Sequence, residues 1–329
     1  MNSTKRILLA GIAAGTAGLV AGSALAQDQE RYIFVHHAST GNVFWQAVQQ
    51  GMNDACEQVG ADCQMIFAQT EGDLQQQLNN FQTAVAQQPD GIVTSIVDDT
   101  IFDQPIAEAV DAGIPVIASN TDDSEGAAGN PRLSFIGQNL TAAGYGLAQA
   151  MSDEFPDEGP IQVLIGVSEP GQSWSELRAQ GIADFMDDYI DANPDREISY
   201  ERLDSGTDLS ATANRVAAYV QATPDLTAYF DTGYWHAGAA NALRDLDYEP
   251  GDILLGGFDL VPVVLDEMEA GYIQYQIDQQ PYLQGYLPII QLDLMNEFGL
   301  SAWSVDTGSG LVTPDDVAEI RALSEQNVR

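Results

Sequence analysis

From Arg31 onward, short apolar and β-branched runs alternate with longer stretches in which apolar residues recur every three or four positions. RYIFVH (31–36) predicts a strand, and Phe44, Ala47, Val48, Gly51, Met52 and Ala55 then share one face of a helix. CQMIFA predicts the second strand, followed by a helix carrying Leu74, Leu78, Phe81 and Val85. GIVTSI is the third strand. The helix after it ends at DAGIPVIASN, where Gly113 stops the helix and Ile114 and Pro115 open the fourth strand. Such a βαβ series predicts an α/β fold with a parallel, doubly wound sheet.

A second series begins near Leu133. Strands are predicted at LSFIG, IQVLIG, ISYERL, LTAYFD, DILLGGFD and YIQYQID, with helices over 141–153, 174–190, 209–221, 236–245 and 260–269. Two such runs exceed one comfortable core, so two α/β lobes are expected, with EGAAGNPR (125–132) as the first crossing between them.

The chain opens MNSTKRILLAGIAAGTAGLVAGSALAQDQE. Lys5 and Arg6, a short Gly- and Ala-rich apolar run and the Ala24-Leu25-Ala26 terminus read as a secretory signal peptide over 1–26, with cleavage expected after Ala26. The chain past it has nine arginines, no lysine and 49 acids, a formal charge of 9 − 49 = −40. Dispersed acids in a chain that is 45% hydrophobic exclude a disordered acidic tail. Self-repulsion of this size suits a halophilic protein bathed in brine, where the screening length falls to about 3 Å at 1 M salt. It also argues against nucleic acid and anionic membranes as partners. Cys56 and Cys63, the only cysteines, read as a disulfide in an oxidising compartment, worth about 2.5 kcal/mol; a metal pair would lack further ligands nearby.

In open parallel sheets ligands bind beyond the carboxyl ends of the strands. The residues placed there are His37 to Trp45, Ser95 to Asp98, Asn120 to Asp123, Gly166 onward, Asp231 to Gly233, Asp259 and Asp278 to Pro281. Amides, hydroxyls and carboxylates flanked by aromatic rings suit a neutral polyhydroxylated molecule. His36 and His37 are poor joint metal ligands, because neighbours on a strand point to opposite faces. Phe44 and Trp45 are equally readable as core residues at a helix start, and Trp174 in GQSWSEL as core or cleft mouth.

HHASTGNVFWQAVQQGMNDACEQVG, PDGIVTSIVDD, AGIPVIASN, RAQGIADF, GGFDL and QIDQQPYLQGYLPI, in this order and spacing, resemble the type I periplasmic sugar-binding proteins, the ribose-binding-protein-like receptors of ABC importers. The resemblance spans nearly all of the chain after Ala26. It implies two lobes joined by a three-stranded hinge, one of 27–133 plus 280–308 and the other of 134–279 plus 309–329, closing on a sugar. It implies a ligand set of His37, Asn42, Phe44, Trp45, Ser95, Asn120, Arg178, Thr232, Asp259 and Gln279, with no cofactor and no catalytic residue. The implied partners are a monosaccharide or polyol and an ABC permease, for a monomer located in the periplasm. Departures bear on the sugar: Asn120 stands where many relatives have Asp, Thr121 where they often have Arg, and Thr232 where Asn is usual.

The same fold could instead serve a chemosensory or signalling receptor for a furanosyl ligand. An enzyme is the least favoured class. Asp231-Thr232-Gly233 and Asp306-Thr307-Gly308 mimic the aspartic-protease signature, but that pair belongs to an all-β protein, and no Ser-His-Asp, P-loop or dinucleotide pattern follows the first strand.

Overall fold

The computed structural model describes residues 29–308 and 310–329; the segment read as a signal peptide lies outside them. The chain runs β1 (Arg31–Ser39), α1 (Phe44–Val59), β2 (Asp62–Ala68), α2 (Leu74–Ala86), β3 (Gly91–Thr94), α3 (Asp103–Asp111), β4 (Val116–Asn120) and β5 (Phe135–Gly137). It continues with α4 (Leu140–Ser152), β6 (Ile161–Val167), α5 (Ser173–Ala192), β7 (Ile198–Asp204), α6 (Leu209–Ala222), β8 (Ala228–Asp231), α7 (His236–Asp245), β9 (Leu254–Phe258), α8 (Pro262–Glu269) and β10 (Tyr275–Asp278). Last come α9 (Pro281–Phe298), β11 (Val305–Asp306), β12 (Gly310–Val312) and α10 (Val317–Ser324).

These strands form two sheets of the same plan, ordered β11-β5-β4-β3-β1-β2 and β12-β10-β9-β8-β6-β7. Every pairing is parallel except β12 against β10. The chain passes between the sheets three times, after β5, after β10 and between β11 and β12. The passes are tied together: Gln138 donates to the Gly308 carbonyl at 3.0 Å and Gln284 to Thr307 Oγ1 at 3.1 Å.

Burial on both sheet faces explains the near-continuous apolar strands. In the first sheet Tyr32, Phe34 and Val93 face Trp45, Val48, Met52 and Leu292 of α1 and α9. Their neighbours Ile33, Val35 and Ile92 face Phe81, Phe102 and Ile106 on the other side. The second sheet repeats this, with Val163, Ile165 and Phe230 toward α4 and α5 and Leu164, Tyr229 and Leu255 toward α6, α7 and α8. Asp73, Asn139 and Asp208 cap α2, α4 and α6 through their side-chain oxygens, so three helices begin where a short polar residue supplies an acceptor. Cys56 at the end of α1 is joined to Cys63 in β2 as a disulfide, with Cα atoms 6.2 Å apart.

The sequence reading differs from this topology in two places. β5 pairs with β4 in the first sheet, Ser119 opposite Ile136, so 125–132 is an excursion within the first lobe and the first crossing follows Gly137. The short LSFIG run carries no sign of which sheet it joins. β1 also extends past Val35 through an irregularity to pair Ser39 with Ala68, which puts His37 in the strand rather than in the loop after it.

Candidate ligand-binding site

The carboxyl ends of the two sheets face one another, and between them lies a cavity of about 400 Å³ including its open mouth. It is lined from the first lobe by His37, Asn42, Phe44, Trp45, Glu71 and Asn120, and from the second by Trp174, Arg178, Tyr234, Trp235 and Asp259, with Gln279 at a crossing.

The first-lobe wall is built on the β1–α1 turn. Asn42 Oδ1 accepts the Phe44 backbone N–H at 3.2 Å, and its amide donates to Glu71 Oε1 at 2.7 Å. Glu71 Oε2 accepts the Ser39 N–H and hydroxyl at 2.8 and 2.9 Å. Trp45 has one face covered by His36, stacked at 3.9 Å, so it offers the cavity only its remaining edge and face. His36 is wholly buried there. Burial drives the His37 imidazole down to about 3, keeping it neutral. Its Nδ1 lies 3.0 Å from Ser95 Oγ, which accepts from Gln77 at 3.1 Å. The direction of the Nδ1–Ser95 bond follows the ring tautomer: with the ring proton on Nε2, Ser95 donates to Nδ1 and Nε2–H is free to donate.

The second-lobe wall centres on Arg178. Its Nε and Nη2 donate to Gln138 Oε1 at 3.2 and 2.9 Å, its Nη1 donates to the Thr232 carbonyl at 2.9 Å, and its guanidinium lies 4.0 Å over the Phe258 ring. Of the five N–H donors of a guanidinium, two remain for a ligand. Burial lowers the Arg178 pKa to about 10, against the pull of Asp259 in the other direction. Asp259 in turn is raised by burial and lowered by Arg178 and by Gln279, which donates to its Oδ1 at 2.6 Å. Arg178 reaches this place because α4 and α5 touch backbone to backbone. A Cβ on Gly144 would stand 2.2 Å from the Arg178 carbonyl and one on Gly181 2.0 Å from that of Thr141.

Asn120 and Asp259 are both left-handed, at φ 70° and 73°. Asn and Asp tolerate this region better than other side-chain-bearing residues, and strain of this kind gathers at functional sites. Asn120 donates to Gln284 Oε1 at 3.0 Å and accepts from Thr121 at 3.0 Å.

Two residues of the expected set stand behind the wall instead of in it. Ser95 is engaged by His37 and Gln77, and the Thr232 hydroxyl by Ser168 and Ser175, the latter at 2.7 Å. They position His37 and Arg178. The sequence pattern does not distinguish Glu71, Tyr234 and Trp235, and it reads Trp174 equally as core or cleft mouth; all four line the cavity. Glu71 lies beyond β2 in a position that follows the rule for strand ends; Tyr234 and Trp235 directly follow the Asp231–Gly233 turn. Trp174 and His37 face one another across the lobes with centroids 6.3 Å apart and planes 26° apart. Asp231 and Asp306 belong to different sheets and are tied to their own turns, accepting from Gly233 and Gly308 at 2.9 Å. Among the described residues no group of three or more His, Cys, Asp or Glu is placed to hold a metal, and no helix is long and apolar enough to cross a membrane.

This geometry, two doubly wound lobes around a polar and aromatic cleft, is that of a periplasmic binding protein. The family profile of the periplasmic binding protein domain matches residues 33–295, and the chain belongs to that family. It is 29% identical over 321 residues to the xylose/arabinose-binding protein XylF of Sulfolobus acidocaldarius, covering 93% of this chain and 77% of that one. A periplasmic sugar-binding protein of an ABC sugar transporter from Legionella pneumophila superposes with a TM-score of 0.78 at 29% identity, covering 85% of this chain and all of that one. A carbohydrate transporter protein from Acidothermus cellulolyticus, solved with myo-inositol, has the same fold, with a TM-score of 0.78 at 24% identity over 92% of this chain and all of that one.

Proposed function

We propose that the protein is an exported, non-catalytic receptor that encloses a monosaccharide or related polyol between its lobes and presents it to an ABC permease. The observation that carries this reading is that Arg178 and Asp259 line one cavity together with Glu71, amides and aromatic rings. One cation, two carboxylates and several amides provide donors and acceptors in alternation, as vicinal hydroxyls require, while the rings cover C–H faces. Relatives that are sugar receptors support the substrate class.

Enclosure sharpens selectivity, since each hydroxyl mispaired in the closed cavity leaves a group unsatisfied at about 1–3 kcal/mol. The amino-terminal apolar segment and the disulfide support a location outside the cytoplasm. The charge of −38 for the full chain supports a high-salt setting. Mass spectrometry of small molecules released by denaturing freshly purified protein tests the reading. A hexose, pentose or cyclitol at near-stoichiometric amount agrees with it; an amino acid or nucleotide in that place contradicts the substrate class.

A further inference from the structure

The β2–α2 loop of the first lobe meets the β6–α5 loop of the second at the rim of the cavity. Gln172 Nε2 donates to the Gly72 carbonyl at 3.0 Å, and just beyond it the Ser173 N–H donates to the Val97 carbonyl at 3.0 Å. Gly72, at φ 70°, lies directly on the Glu169 carboxyl: a Cβ there would fall 1.4 Å from Glu169 Oε1. Glu169 Oε2 is buried with no hydrogen-bond partner, and none of the ion pairs among the described residues includes Glu169. The charged groups on the packed elements do not relieve it. Glu71 and Asp73 come from the first lobe; on the second, Glu176 accepts from Gly171 and is itself paired with Arg202. Glu71, which lines the cavity, is already engaged by Ser39 and Asn42.

Resting on the receptor reading above, we propose that closing the cleft takes up one proton at Glu169, so that acid favours the closed, ligand-holding state and rising pH favours release. The contact that buries this carboxyl is made between lobes, so it exists only when they are closed. In the closed state burial, and then the charge of Glu71, raise Glu169 from 4.5 to about 7. With the lobes apart it returns to water and toward its ordinary range. A group whose proton affinity rises on closure favours closure fully below its open-state pKa and loses that contribution as pH climbs through the closed-state value. The Glu169 contribution to affinity therefore falls between about pH 4.5 and 7, by on the order of 10²-fold over the whole window, and is level above it. The His37 ring, whose proton affinity burial lowers, acts in the opposite sense in the native protein and in a Glu169 variant alike. Salt leaves most of this intact, because buried neighbours are screened far less than exposed ones.

The test titrates the intact protein, and Glu169→Gln, with L-arabinose, D-xylose and myo-inositol between pH 5 and 8 in buffers of different ionisation enthalpy. The expected result is that at pH 6 the native protein takes up nearly one proton more per sugar bound than E169Q does, and that the ratio of native to E169Q affinity falls as pH rises from 5 to 8. A sugar that binds with the same proton balance in both proteins overturns the proposal while leaving the receptor reading in place. Should none of the three sugars bind, X-ray scattering of the ligand-free proteins decides: a radius of gyration that grows from pH 5 to 8 only in the native chain supports the coupling, and a flat one overturns it.

Discussion

Asn120 and Asp259 occupy equivalent corners of the two lobes. Each follows or ends the fourth strand along its sheet from the β2 or β7 edge, and each is held left-handed, at φ 70° and 73°. Gln279 lies between them, donating to Asp259 at 2.6 Å with its carbonyl oxygen 3.5 Å from the Asn120 amide. The two corners differ by one charge, and the charged one faces Arg178.

Asp259→Asn separates charge from shape. Asn accepts the left-handed backbone, so the folded state should change by no more than about 1 kcal/mol, whereas Asp259→Ala adds backbone strain of about 1–2 kcal/mol. Sugar affinity should fall at least roughly tenfold in D259N, since a charge-assisted acceptor becomes a neutral one. Calorimetric titration beside a denaturant melt distinguishes the two effects.

Arg178→Ala strips donors from Gln138 Oε1 and the Thr232 carbonyl as well as from the ligand. We expect a loss of stability of about 1–3 kcal/mol and a fall in affinity of roughly 10²-fold. Arg178→Lys restores the charge but not the planar fork and should recover little of the binding. Full recovery with lysine would reduce the role of this residue to charge alone.

Gly181→Ala tests how the site is supported from a distance. The added methyl meets the Thr141 carbonyl at 2.0 Å, so α4 and α5 must move apart. The expected cost is about 1–3 kcal/mol in unfolding free energy, together with weaker sugar binding because Arg178 is carried on α5. Urea melts and titrations of the variant read both.

Acid should unfold the protein partly through its histidines. His36, His37 and His236 are all lowered by burial, His37 to about 3. For a base whose folded pKa is depressed, stability is intact above the unfolded value near 6.5 and is lost as pH falls toward the folded one. Each contributes up to about 1.4 kcal/mol per pH unit in that window. A denaturant series from pH 7 to 4 should show the decline, and a flat profile would contradict neutral, buried imidazoles.

The alternation of strands and helices was legible because both sheets are buried on both faces, which prints apolar runs such as IQVLIG directly into the chain. β11 and β12, two and three residues long, print nothing. α9 is obscured by Pro288 within it and by Gly285 at its contact with α1. At the site, the rule that ligands gather beyond strand ends located His37, Asn42 and Asp259 on the cavity wall. It does not say which side chains turn inward: Ser95 and Thr232 turn to neighbouring polar groups, whereas Tyr234 and Trp235 reach the cavity from just past the Asp231–Gly233 turn. Those choices depend on contacts between segments far apart in sequence, such as Ser95 with His37 and Thr232 with Ser175.

The most direct measurement is a thermal-shift screen of the purified protein in high salt against pentoses, hexoses, deoxy sugars, inositols and sugar alcohols, with amino acids as controls. A ligand present at 1,000 times its dissociation constant adds about 4.1 kcal/mol to the folded state, which moves the melting temperature by several degrees. The account predicts a large shift with one sugar or cyclitol and little with its epimers. A shift confined to an amino acid, with every sugar silent, would contradict it.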